Sequence, residues 1–362
     1  MRHVQVYFEP MPVRFALIAL LGCGTAKPPP SVVLVIGDGM GPGQVELLLR
    51  AHPNGALAEM MRLGEVGLVD TTPYGALVTD SAAGGTALAT GVQTRPRILS
   101  LDPDGHRVET WIEAAAREGL ETGVVTTEDL TDATPAAFLA HAVDRNDAAL
   151  IAAQELASPP TIAIGGGAKW LLHPPASLQL LAPGALPYRI RAARLSLAAL
   201  TTRALDAVSR PGNGFVLVVE AALIDNACHE HLAPELLGEL LDLDDALAVL
   251  LPRARAGELL LVVTADHETG GFALQFREPA QPPASVTLAS GAVWNATADF
   301  GSPATLDALR RGESSPNVAW ATEAHTAALV PLVAVGPGAR SFAGFHEQWQ
   351  IGQLLRAAIG AR

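Results

Sequence analysis

Six short apolar runs, each rich in β-branched residues and each ending in a polar or glycine-rich cluster, constrain this chain most. They are Ser31 to Ile36, Thr122 to Thr126, Thr161 to Ile164, Gly214 to Val219, Glu258 to Val263 and Val330 to Val335. Runs of this length without polar alternation read as buried parallel strands. Ala- and Leu-rich stretches at Val108 to Glu118, Pro135 to Ala142, Ala148 to Leu156 and Pro234 to Leu251 read as the helices between them. The alternation predicts an α/β chain folded as a three-layer α/β/α sandwich around a mostly parallel central sheet. In such sheets the ligand site lies beyond the carboxyl ends of the strands, which is where the polar clusters fall.

With 362 residues, 49% of them hydrophobic and only 17% charged, the chain can bury one large core, so residues 31–362 read as a single domain. Gly271 to Pro316 is rich in Pro, Ser, Thr, Gly and Ala, with weak β patterning around Ala284 to Leu288. It reads as a small insertion over the site, about 271–316. Tyr188 to Arg210 is rich in Arg and Leu and reads as a surface helix. The net charge of -13, with Lys27 and Lys169 the only lysines, excludes a nucleic-acid-binding surface. Carboxylates that serve as metal ligands would lower that charge in the loaded protein.

The first residues stand apart from the fold. Phe15 to Leu21 is an apolar run too short to span a bilayer, preceded by Arg14, and reads as the core of an export signal covering residues 1–22. Met11 would make a conventional start for it. Leu20-Leu21-Gly22-Cys23 resembles the lipobox at which bacterial lipoproteins are cleaved and acylated, so Cys23 is a candidate lipidation site. A lipoprotein of the cell envelope and a plainly secreted or periplasmic protein are both open, and Cys23 is the only expected link to a membrane. Residues 23–30, with Pro28-Pro29-Pro30, read as a stiff tether.

The chemistry sits in the clusters. The first strand runs into Gly37-Asp38-Gly39-Met40-Gly41, which places a carboxylate among glycines that let backbone and ions approach closely. In Val78-Thr79-Asp80-Ser81-Ala82-Ala83-Gly84-Gly85, Ser81 reads either as a helix cap or as a nucleophile at a helix N-terminus that favours anions. Asp129-Leu-Thr-Asp132-Ala-Thr134-Pro135 precedes His141 and Arg145, which read as lying on the helix that Pro135 opens. A guanidinium there could clamp phosphate. Glu220 ends a strand, and Asp225 and His229, four apart, share one helical face and can grip one cation. Cys228 between them reads as a small buried residue or a thiolate ligand. Asp266-His267 closes the fifth strand and His325 lies just before the sixth. Asp, Glu and His of this kind suit zinc and magnesium.

In order and local wording these clusters resemble the alkaline phosphatase family, across about Val32 to Pro337. Val78 to Thr86, Thr131 to Ala137, Glu220 with Ile224-Asp225, and Thr264 to Gly271 carry the resemblance. It implies two zinc ions and one magnesium. One zinc would be held by Asp225, His229 and His325, the other by Asp38, Asp266 and His267 with Ser81 facing it. Magnesium would take Asp38, Thr134 and Glu220, with Asp132 in its water shell. Arg145 would hold the phosphate of a small phosphomonoester, while Ser81 attacks phosphorus and forms a phosphoserine that water then hydrolyses. Asn226 stands where relatives often carry Lys, His or Trp, so a cationic contact to phosphate is expected to be missing. Only 75 positions separate Arg145 from Glu220, so the family's peripheral elements and dimer surface are expected in reduced form, with a homodimer still open. A phosphodiesterase of the same superfamily and a non-catalytic metal- or phosphate-binding lipoprotein are the rival readings. No C/S-x-P-x-R pattern surrounds Ser81, which counts against a sulfatase.

Overall fold

The computed structural model describes residues 30–275, 285–287, 289–295, 303–315 and 317–361. The expected export signal, Cys23 and all of the expected tether but Pro30 lie outside them. Nine strands form the central sheet: β1 (Val32–Gly37), β2 (Glu65–Asp70), β3 (Glu121–Asp129), β4 (Ile162–Gly166), β5 (Leu178–Leu180), β6 (Phe215–Ala221), β7 (Leu260–Thr264), β14 (Val330–Val335) and β15 (Gly344–Glu347). The intervening labels belong to short pieces outside it: β8 (Glu268–Thr269), β9 (Ala273–Leu274), β10 (Ser285–Thr287), β11 (Val293–Asn295), β12 (Val318–Ala319) and β13 (His325–Thr326). The helices are α1 (Pro42–Ala51), α2 (Ala56–Leu63), α3 (Ser81–Thr90), α4 (Trp111–Arg117), α5 (Ala133–Leu139), α6 (Ala148–Ala157), α7 (Leu197–Val208), α8 (Leu223–His229), α9 (Ala233–Arg255), α10 (Pro303–Arg310) and α11 (Gln348–Ala358).

The sheet order is β15-β2-β14-β7-β1-β6-β3-β4-β5. Every residue of β1 is buried, because the strand is hydrogen-bonded on both edges, to β6 and β7, and covered on both faces. That position suits the continuous run Val32-Val-Leu-Val-Ile36 and would not suit an alternating one. Helices α7 and α9 pack together and against β6, while α3, α5 and α11 pack together with α4, which also meets β3 and β6. Sheet and helices thus make the expected sandwich.

Three expectations are corrected. The strand Val330–Val335 is antiparallel to both of its neighbours, β2 and β7, rather than parallel. Of Tyr188 to Arg210, only Leu197–Val208 is helical, and Leu200, Ala204, Leu205 and Val208 bury it against the sheet instead of leaving it on the surface. The helix after Asp132 begins at Ala133 and ends at Leu139, so Arg145 is not on it. Ala142 instead makes a β-bridge to Leu99, and Arg145 donates its backbone N–H to Arg97 in the following turn. Between residues 271 and 316, β10 pairs with β11, and Arg310 of α10 reaches the Ala51 carbonyl at the end of α1 remote from Asp38.

Candidate active site

The polar clusters do meet at one edge of the sheet. Asp38, Glu220 and Asp266 follow or end β1, β6 and β7, which are parallel neighbours, so their carboxylates emerge side by side. His325 arrives from the other direction. Because β14 runs antiparallel, the residues before its start lie at the same edge as the ends of β7 and β1. A two-residue ribbon joins the two segments, pairing Thr269 with His325 and Glu268 with Thr326.

Ser81 is the first residue of α3, and the cap is Asp80, whose carboxylate accepts the Ala83 N–H at 3.0 Å and the Arg97 N–H at 3.0 and 3.1 Å. Ser81 is 4% exposed and its hydroxyl is free of any capping duty. The small residues behind it have a packing reason: a Cβ on Gly84 would fall 2.8 Å from the Asp266 carbonyl oxygen, so α3 lies directly on the turn that carries Asp266 and His267. Gly84→Ala should therefore displace that turn, lowering stability by about 1–3 kcal/mol and cutting turnover with it. Thermal unfolding and esterase assays of the variant check this, and a wild-type profile in both would contradict so close a contact.

Three imidazoles converge on the space before Ser81, and their outer nitrogens are all engaged. His229 Nδ1–H donates to the Glu323 carbonyl at 2.5 Å and His325 Nδ1–H to the Thr79 carbonyl at 2.9 Å. Thr269 donates its hydroxyl proton to Asp225 Oδ1 at 2.5 Å, so its oxygen accepts from His267 Nδ1–H at 3.2 Å. Each Nε2 thereby faces inward and would offer its lone pair to a bound cation, the arrangement in which outer partners orient imidazole ligands for a metal. His229 Nε2 lies 3.1 Å from His325 Nε2 and 3.2 Å from Asp225 Oδ2. His267 Nε2 lies 3.1 Å from Ser81 Oγ, 3.2 Å from Asp266 Oδ2 and 3.6 Å from Asp38 Oδ1. No carboxylate backs His267 as it would in a Ser-His-Asp triad, since a threonine takes that place.

Two sets of ligand atoms lie close enough to share an ion: Asp225, His229 and His325, and Asp38, Asp225 and His267. Asp225 thus reaches both, where the sequence reading gave it to one. A third grouping lies behind: Thr134 donates to Asp38 Oδ2 at 3.2 Å and Thr126 to Glu220 Oε2 at 2.5 Å. Burial, with repulsion from Asp266 and Asp225, raises Asp38 well above the usual carboxyl range. Burial pushes Asp266 up to about 7 and Glu220 up to about 8. Burial would raise Asp225 too, but the hydrogen bond from His229 and the neighbouring imidazoles hold it low. Asp38 Oδ1, Glu220 Oε1 and Asp266 Oδ2 are buried and accept no hydrogen bond among the described residues. Buried, mutually repelling carboxylates with vacant lone pairs fit a cluster of divalent cations, and little else would stabilise them.

Arg145 reaches this edge from the turn after α5, with its guanidinium 3.5 Å from Asp80 and 3.4 Å from Asp132. Asn226 follows Asp225 on α8 and is partly exposed. Cys228 is fully buried behind them, 3.5 Å from the Gln44 amide, and burial pushes its thiol well up, so it is a core residue and not a thiolate ligand. An open cleft of about 480 Å³, lined by Val78, Thr79, His229, Glu323, Ala324 and His325, leads from the cluster to the surface. Thr126, Thr269 and Asp80 take part in the site without having been singled out from the sequence.

The alkaline phosphatase family model matches residues 30–163 and 173–361, which span every one of these groups. The chain belongs to the alkaline phosphatase family. Among similar proteins, streptomycin-6-phosphate phosphatase of Streptomyces griseus is 30% identical, over 92% of this chain and 91% of its own. The alkaline phosphatase of Escherichia coli K12 is 27% identical, over 93% and 87%. The solved structure of the alkaline phosphatase from the Antarctic bacterium TAB5 superposes with a TM-score of 0.78 at 28% identity, covering 93% of this chain and 99% of that one. A variant of the TAB5 enzyme was solved with Mg bound in its M3 site. The chain is accordingly an enzyme that hydrolyses phosphate monoesters, acting on small-molecule phosphate esters with divalent metals.

Proposed function

We propose that hydrolysis proceeds through a covalent phosphoserine on Ser81, within a cluster of two zinc ions and one magnesium. His267 Nε2 beside Ser81 Oγ, stacked on His325 and grouped with His229, Asp225 and Asp38, carries this reading. Asp225, His229 and His325 would hold one zinc, and Asp38, Asp266 and His267 the other, with Asp225 close to both. Asp38, Thr134 and Glu220 would hold magnesium, with Asp132 in its water shell. When bound, these cations supply positive charge for the serine alkoxide and for the departing oxygen.

Ser81 Oγ gives up its proton to solvent and forms a bond to phosphorus as the bond from phosphorus to the ester oxygen breaks; that oxygen takes a proton from solvent and leaves as the alcohol. Its place at the head of α3 sets the helix N–H groups toward the phosphoryl oxygens. Arg145 balances the negative charge on those oxygens, and Asp80 and Asp132 hold its guanidinium at the site. Water then forms a bond to phosphorus from the opposite side as the bond from phosphorus to Ser81 Oγ breaks, a proton returns to Oγ, and inorganic phosphate leaves.

Arg145→Ala should raise KM for an aryl phosphate by about one to two orders of magnitude, as a charge-assisted pair is worth about 1.5–3 kcal/mol. An unchanged KM would remove it from the phosphate site. Asn226→Lys should tighten inhibition by inorganic phosphate, because it adds a cation beside Asp225; unchanged inhibition rejects that role. The reading as a whole is tested by comparing an aryl phosphate monoester with a diester and a sulfate ester, with and without chelator. Preference for the monoester that chelator abolishes is expected. Chelator-insensitive turnover would overturn it.

We further propose residues 1–22 as an export signal, with Met11 as its start, and residues 23–30 as a tether acylated at Cys23. The domain would then run over 31–362 with an insertion at about 271–316. No helix among the described residues is long and apolar enough to cross a membrane. Mass spectrometry of the mature N-terminus tests the acylation, and gel filtration with light scattering tests the homodimer.

A further inference from the structure

Glu268 follows His267 directly, yet its carboxylate engages groups outside the metal cluster. It is 3% exposed. Its Oε1 accepts from the Gln44 amide at 3.0 Å and from the Phe272 N–H at 3.4 Å, and its Oε2 accepts from the Thr326 hydroxyl. The same Gln44 amide donates to the Thr269 carbonyl at 2.8 Å. A Cβ on Gly41 would fall 2.0 Å from Glu268 Cγ, so the loop leaving Asp38 rests on the stem of this side chain.

Three chain segments therefore meet at one carboxylate. The Asp38 loop and α1 arrive after β1, β8 continues from His267, and β13 carries His325. The ribbon of β8 and β13 is only two residue pairs long, too short to fix its own position. We propose that Glu268 is a positioning residue, which clamps β13 to β8 and to α1 and so sets His325 against Asp225 and His267. The inference rests on the reading of those three residues as cation ligands. A buried carboxylate that accepts from three donors is costly to lose, because each donor is then left unsatisfied in the interior. Outer partners that orient metal ligands typically change metal affinity 10–100-fold when removed.

The test uses the full chain stripped of metal and titrated with zinc against a chromophoric chelator. Glu268→Ala should weaken the zinc affinity lost in His325→Ala by about 10–100-fold. Its turnover should fall at limiting zinc and return toward wild type as zinc is raised, a recovery that general misfolding would not give. Glu268→Gln should restore most of the affinity, since its carbonyl can accept from Gln44 while Thr326 turns to accept from its NH₂. Thr326→Val removes one hydroxyl and should give a several-fold loss that is not additive with Glu268→Ala. It carries the test if Glu268→Ala fails to fold. Wild-type zinc affinity in Glu268→Ala, or in Thr326→Val where that variant stands in, overturns the clamp. Wild-type affinity in His325→Ala instead overturns the proposed ligand set, whatever the Glu268 variants do.

Discussion

Ser81→Ala should lose at least about three orders of magnitude in turnover of an aryl phosphate, the scale on which removal of a covalent nucleophile is felt. It should do so without unfolding the protein. Asp80, not Ser81, caps α3, so the substitution removes no backbone partner, and alanine is the better helix former. The melting temperature should stay within a few degrees of wild type while hydrolysis disappears. Acid-quenched wild type incubated with phosphate should carry a phosphoryl group on the peptide containing Ser81, and the variant should not. Full activity in the variant would mean that water attacks the ester directly. A collapse of stability would mean that Ser81 is a structural residue.

Removal of metal should abolish activity and also make stability depend on pH in a particular direction. In the metal-free protein, burial raises Asp266 to about 7 and Glu220 to about 8, from roughly 4 in an unfolded chain. A raised carboxyl binds its proton more tightly when folded. Between about pH 4 and 8 the folded state then holds more protons than the unfolded one, and stability falls as pH rises. His229, raised to about 9 chiefly by its hydrogen bond with Asp225, adds a loss in the same direction as its proton leaves. Bound cations replace those protons, and at a thousand times Kd a ligand adds about 4 kcal/mol. The gap in melting temperature between loaded and chelated protein should widen from pH 5 to pH 8. Calorimetry across that range decides the matter, and a constant or narrowing gap would mean that the carboxylates do not stand in for an ion site.

Much of the fold was legible in the residues because the same apolar runs that bury the sheet also end in the candidate ligands. Val32 to Ile36 announces both a central strand and Asp38 at its exit. The direction of Val330–Val335 was not legible, since an apolar run says nothing about which way it crosses a sheet. Strand β2 was missed because Val66 and Leu68 stay exposed on a half-covered face, and β15 because it is short and mostly exposed. Arg145 was placed on a helix that Ala140, in extended conformation, ends five residues earlier. Thr126 and Thr269 could not be told from ordinary strand residues, because their importance lies in one hydroxyl and the long-range partner it meets. The candidate ligands stand out by residue type, whereas the residues that hold them in place show only in three dimensions.

The antiparallel course of β14 has a consequence for the order in which the enzyme is made. His325 and the strand after it come from the last tenth or so of the chain, and β14 is the piece that joins β2 to β7. Synthesis runs from the N-terminus, so Ser81, Asp38 and Asp225 exist long before the site can close around them. Until β14 inserts, the carboxylates have no third imidazole beside them and β2 has no place in the sheet. The site can therefore close only after the segment that carries His325 has been made, later than those that carry Ser81, Asp38 and Asp225.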